Sequence, residues 1–112
     1  MIAPCANAST LEAFCQFEVS ATQDSIEKIS PFTLHFAYDN VSRKGFVTGN
    51  NGAEEVVTFS GTEGITFIEV LPTGAVQSTT ASWNGDAVHS RHTMMRMLLP
   101  SQNYGQCTFD EK

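Results

Sequence analysis

Apolar side chains at Phe32, Leu34, Phe36 and Tyr38 alternate with Thr33, His35 and Ala37, the period of two that gives a strand one buried and one open face. Runs of similar character cover residues 14–21, 44–48, 55–59, 65–71, 75–83, 87–95 and 104–109, so the chain reads as about eight short strands. The breaks between them are regular. Asp39-Asn40, Thr48-Gly49-Asn50-Asn51-Gly52, Ser60-Gly61-Thr62-Glu63-Gly64, Pro72-Thr73-Gly74 and Asn84-Gly85-Asp86 recur roughly every dozen residues. Each supplies the Gly, Asn or Asp that tolerates the positive φ of a tight turn. Two stretches suggest a single helical turn, Ser9 to Phe14 behind a Ser or Thr cap and Asp24 to Ile29, both too short to persist alone. The pattern predicts an all-β antiparallel meander, closed as a small barrel or strongly curled sheet because closure removes exposed edges. A β-sandwich is the alternative.

Length and charge narrow the classes. A chain of 112 residues makes one domain, here residues 11–112, with 1–10 as a flexible tail or the remnant of an export signal ending in Ala6-Asn7-Ala8. Twelve Asp and Glu stand against six Lys and Arg, and charged residues make up only 16%. Without clustered positive charge the chain is a poor partner for nucleic acid or an anionic membrane surface. No run approaches the ~18 apolar residues of a membrane-spanning helix. Serine, threonine, asparagine and glutamine fill the surface instead, as suits a periplasmic or secreted β-protein.

The cysteines carry the strongest long-range expectation. Cys15 lies on the first strand and Cys107 on the last, so a bridge between them would fasten the two ends of the meander. It would close a loop of about 90 residues, worth ~3–5 kcal/mol in the chain-entropy model. Their Cα atoms are then expected ~4.4–6.8 Å apart. Cys5 is the spare, and a Cys5–Cys15 pair is the weaker alternative. Without a Cys-x-x-Cys, and with no histidine beside any cysteine, the chain lacks a thiol-redox or zinc signature.

Polar chemistry is densest in Ala87-Val88-His89-Ser90-Arg91-His92-Thr93. On a strand, His89 and Arg91 share one face and Ser90 and His92 the other, which opposes a metal pair made of His89 and His92. Ser90 and His92 resemble a nucleophile and base, but no Gly-x-Ser-x-Gly elbow or orienting acid accompanies them. His89 and Arg91 are expected to line a solvated face or pair with Glu69 or Asp86; as an alternative, His89, Arg91 and His92 form a ligand or partner patch. Ser78 and Thr80, if inward, would imply a wet cavity. Trp83 either caps one end of the core or stands out as an interaction anchor. Met94-Met95-Arg96-Met97-Leu98-Leu99-Pro100 reads as a core-covering crossover, or, if exposed, as a surface for self-association. Glu54, Glu55, Glu63 and Glu69 lack calcium-loop spacing, no nucleotide-binding motif is present, and no cofactor is implied.

The strings Gly64-Ile65-Thr66-Phe67-Ile68-Glu69-Val70-Leu71-Pro72-Thr73-Gly74, Val88-His89-Ser90-Arg91-His92-Thr93 and Pro100-Ser101-Gln102-Asn103-Tyr104-Gly105-Gln106-Cys107 resemble those of a group of small exported bacterial β-rich proteins. That resemblance implies export and no particular activity. A cysteine on the first strand and Tyr-x-x-Cys on the last is also similar to the plan of small periplasmic lysozyme-inhibitor barrels, although the loop serine and lysine of those inhibitors have no match. The expectation is a non-enzymatic exported domain that binds a protein or an envelope component. One alternative is a lipocalin-like carrier of a small apolar ligand, which needs a void of ~300 Å³. Another is a histidine-based hydrolase or metal protein using His35, His89 or His92. A homodimer is compatible with the first expectation.

Overall fold

Eight strands follow one another in the computed structural model: β1 (Thr10–Thr22), β2 (Ile26–Asp39), β3 (Lys44–Gly49), β4 (Gly52–Ser60), β5 (Gly64–Val70), β6 (Val76–Ser82), β7 (Asp86–Met94) and β8 (Leu98–Glu111). Residues 9–49 and 52–112 are described, so the expectations for Cys5, the Ala6-Asn7-Ala8 remnant and Asn50-Asn51 lie outside the described residues. Every strand pairs antiparallel with the next, and β1 pairs with β8. The meander is a closed barrel, not a sandwich.

Alternation places Ala13, Cys15 and Phe17 of β1, Phe36 of β2, Val47 of β3, Val56 of β4, Ile65 and Phe67 of β5, Ala81, Ala87 and Cys107 in one interior cluster. An eight-stranded barrel is just wide enough to be filled by side chains. Small alanines accommodate the large rings, and Phe36 stacks on Phe67 with centroids 4.2 Å apart. Where β8 crosses Phe17 the chain carries Gly105, because a Cβ there would collide with the Gln16 carbonyl and the Phe17 backbone. The turns fall where Gly, Asn and Asp predicted them, with Gly52, Gly74 and Gly85 at φ of 105°, 94° and 109°.

Strands β1, β2 and β8 are much longer than the sequence pattern suggested, and β4 is longer too, while β7 keeps its expected length. The β2–β3 ladder begins at His35↔Thr48 and the β6–β7 ladder ends at Gln77↔Arg91, so beyond these rows the four strands continue alone as a tongue ordered β2–β1–β8–β7. Both suggested helical turns are strand instead: Thr10 to Phe14 belongs to β1 within the barrel, and Ile26 to Ile29 opens β2 on the tongue. Ladder pairing, on both sides for residues 10–14 and with β1 alone for 26–28, outweighs a single-turn helical preference. The free edge of β2 carries Lys28 and Pro31, two residues that discourage further strand addition.

The methionine run does not cross over the core. Met94 ends β7, residues 95–97 form a hairpin tip, and Leu98 opens β8. Met95 and Met97 are 69% and 64% exposed, since the tip projects past the filled barrel and has no layer to pack against. Among the described residues no helix is long and apolar enough to cross a membrane.

Cys15 and Cys107 are bonded and lie directly opposite each other in the β1–β8 ladder. Their Cα atoms are 3.9 Å apart, closer than the expected range. Opposed residues of an antiparallel pair approach more closely than cysteines bridged between separate elements, to about 4.5 Å in non-hydrogen-bonded pairs. Cys15→Ala should lower stability by ~2–5 kcal/mol under oxidising conditions. Denaturant melts of wild type and variant should nearly coincide in strong reductant; a gap of the same size there would show that side-chain packing, not the bond, causes the loss.

Candidate functional site

The inward face of β7 carries the most elaborate polar arrangement. His89 is only 3% exposed and sits inside the barrel, contrary to the expectation of a solvated face. Its Nδ1 is 2.6 Å from Thr79 Oγ1, its Nε2 is 3.1 Å from Gln77 Oε1, and Arg91 Nε donates to Nε2 at 3.2 Å. Arginine is always a donor, so Nε2 keeps its lone pair and Nδ1 carries the proton toward Thr79. The Gln77 amide then serves Nε2 with its nitrogen, an exchange of amide ends that preserves the geometry. Asn103 Nδ2 donates to the His89 carbonyl at 3.2 Å. The ring also packs against Phe17 and Phe32, and the Arg91 guanidinium lies 5.0 Å over the Phe32 ring.

This network closes the barrel where the tongue begins. Burial, reinforced by the Arg91 charge, lowers the His89 pKa to about 4, so the imidazole is neutral near pH 7. Both ring nitrogens are occupied, which leaves no lone pair aimed at open space. The polar pairing expected with Glu69 or Asp86 is replaced by Thr79, Gln77 and Asn103, which reach His89 from β6 and β8. Glu69 lies opposite Gln77 in the ladder, and its carboxyl is raised above its ordinary value by burial and then by Glu54. The cavity beneath the network is about 30 Å³, room for little more than a water. A carrier of a small apolar ligand needs about ten times that volume.

The histidines do not converge. His35 is on the outer face of β2, stacked on Phe14 at 4.3 Å and bonded to Glu12 at 2.9 Å, while His92 is exposed on the tongue. Glu12 also pairs with Lys112 at 2.7 Å, and these two hydrogen bonds, Lys112 first, hold its carboxyl below the usual range. Among the described residues no group of three His, Cys, Asp or Glu could hold a metal ion. Ser90 shares the outer face with His92 and lies opposite Ser78 and Gln102.

Ser78 and Thr80 point outward, so they line no wet cavity; Thr79 between them is the inward hydroxyl. They belong to two rows that cross the outside of the barrel, Val57–Ile68–Ser78 and Phe59–Thr66–Thr80. Thr66 and Thr80 bond through their hydroxyls at 2.9 Å. Val70 and Val76 add a third apolar pair along β5 and β6. Phe59, Val57 and Val70 are 61%, 55% and 67% exposed. Trp83 stands at the far end of the barrel, edge-on to Phe109 at 5.2 Å with Nε1 donating to the Gly61 carbonyl at 3.0 Å. It caps the core and still shows part of its ring to solvent.

Sequence reasoning found His89 and Arg91 but missed Thr79, Gln77 and Asn103, which are ordinary strand residues until the ladder brings them together. It also missed the outer apolar rows. The available signal was the adjacent apolar pairs Val56-Val57 and Phe67-Ile68, which supply both faces of a strand. Comparison with protein-family models, with curated proteins and with solved structures finds no match.

Folded His89 resists protonation down to about pH 4, whereas the unfolded imidazole takes a proton near 6.5. Between those values the unfolded chain binds more protons, so stability should fall as pH drops through this window, by roughly 3 kcal/mol over its full width. Chemical denaturation of wild type and His89→Gln from pH 7 to 4.5 should show the wild type converging on the variant. A titration near 6.5 assigned to the His89 ring itself in the folded protein, by comparison with the His89→Gln spectrum, would contradict the assignment.

Proposed function

We propose that this is a non-enzymatic, exported binding domain that engages another protein of the cell envelope or exterior on the outside of its barrel. The observation that carries the reading is the apolar outer face of β4, β5 and β6, built on Val57, Phe59, Ile68, Val70 and Val76. A strand that spends apolar residues on both faces is covered on both faces in its working state. Ser78, Thr80 and Thr66 punctuate this face and supply the directional hydrogen bonds that an apolar surface lacks. The interior offers no competing site, because its centre is packed and its histidine fully bonded. A buried bond between Cys15 and Cys107 supports an oxidising compartment, in keeping with export to the periplasm or beyond.

Self-association is a second reading, favoured by the projecting tip where Met94, Met95, Met97, Leu98 and Leu99 are all exposed. Methionines make adaptable contact surfaces, and a second copy meeting this tip would cover it symmetrically.

Affinity capture from envelope extract, with wild type and Val57→Ser/Phe59→Ser side by side, tests the main reading. A discrete protein retained by wild type and lost, at least ~10-fold, from the variant is the expected result; equal retention would remove the face from consideration. Sedimentation of the purified chain tests the second. A dimer that Met95→Ser/Leu98→Ser converts to monomer supports it, and a wild-type monomer at high concentration ends it.

A further inference from the structure

Strands β1, β2 and β8 form the side of the barrel opposite the apolar face, and here the outer surface is concave. A cleft of about 920 Å³ runs along β1 from Phe14 to Val19. It lies where β1 slips register against both neighbours between Phe17 and Val19, an irregularity that bends a strand and turns its outer face. That volume falls within the usual range of ligand pockets, ~300–1,000 Å³.

The lining is specific in its chemistry. Gln16 of β1 and Gln106 of β8 are directly opposed at the floor, flanked by Thr33 and Thr108. Among the described residues these side chains bond to nothing else in the protein, so amides and hydroxyls are free for a ligand. Two half-exposed aromatic rings stand along the cleft, Phe14 at 45% and Tyr104 at 42%. Phe14 is braced from behind by its stack on His35, which in turn is held by Glu12.

That combination excludes several partners. Among the described residues no lysine or arginine lines the cleft, and the His35 nitrogen facing Glu12 is occupied, so an anion finds no counter-charge there. An apolar ligand would strand the glutamine amides without partners, at a cost of roughly 1–3 kcal/mol for each group left unpaired. A peptide strand cannot add to β1, because both of its edges are already used by β2 and β8. Recognition must therefore pass through side chains that donate and accept at once and through flat apolar rings. A sugar has hydroxyls that both donate and accept at its rim, and a C–H face that lies on an aromatic ring.

We propose that this cleft binds a neutral oligosaccharide, with Phe14 and Tyr104 as stacking platforms and the Gln16 and Gln106 amides bonded to its hydroxyls. Glu18, the carboxylate among the described lining residues, accepts from a further hydroxyl. The site is separate from the β4–β6 face, and either can operate without the other.

The test uses the full chain, labelled with nitrogen-15, titrated to millimolar concentration with cellotetraose, maltotetraose and chitotetraose. At least one sugar should give saturable amide shifts confined to residues 14–19, 33–35 and 104–108. Gln16→Ala/Gln106→Ala and, separately, Tyr104→Ala should each weaken binding ~10-fold or more while the rest of the spectrum keeps its dispersion, since all three side chains point to solvent. The absence of saturable shifts with all three sugars, shifts centred elsewhere, or variants that bind as tightly as wild type would overturn the proposal. Protein capture through Val57 and Phe59 should be unchanged in the cleft variants, so failure here and failure of the binding-domain reading are separately visible.

Discussion

The pairing of β1 with β8 is the constraint on which the remaining structure depends. It runs from Leu11↔Glu111 to Thr22↔Ser101 and turns a ribbon with two open edges into a closed cylinder. Closure gives every inward side chain a partner across the lumen, so Phe17, Ile65 and Phe67 become core residues although each lies on a strand that could not bury it alone. The same ladder sets Cys15 opposite Cys107 and brings Gly105 against the Phe17 backbone. The disulfide secures a contact of high sequence separation, whose loop-closure cost would otherwise weigh most heavily on a small domain.

Filling the cylinder from one end to the other has consequences for where function can reside. At the tongue end the core changes from hydrocarbon to Thr79, Gln77, His89, Arg91 and Asn103, and the polar groups satisfy one another. A neutral histidine held this way gives the upper core directional bonds that hydrophobic packing does not provide. Among the described residues no buried side-chain nitrogen or oxygen lacks a partner, so the network's polar groups are satisfied within the barrel.

With the inside committed to packing, the outside carries the unexplained features. One flank is apolar where water would ordinarily select polar residues, the opposite flank is concave and lined with free amides and rings, and the tongue ends in methionines. These three surfaces arise from different strands, so one small barrel has room for more than one contact at a time. The tongue's β2 edge, with Lys28 and Pro31, is the exception: it is built to stay unpaired.

Local chemistry fixed much of this in advance. The alternation around Phe36 and the spacing of Gly, Asn and Asp turns specify eight strands and their order, because period and turn conformation are properties of a few consecutive residues. The cysteine positions anticipated the neighbours at the seam. Strand ends were less legible: residues 10–13, 26–31 and 98–103 have weak strand preference and are held extended by partners distant in sequence. The functional surfaces were least legible of all. Whether Ser78 or Thr79 faces inward, whether His89 meets solvent or Thr79, and whether Gln16 meets Gln106 depend on the register between strands, and a shift of one residue reverses every face. The sequence by itself determined the number and order of the strands and pointed to a bond between its ends; only the tertiary structure decided closure as a barrel over a sandwich and which side of each strand is inside, because both are settled by the partners across the ladder and not by the strand.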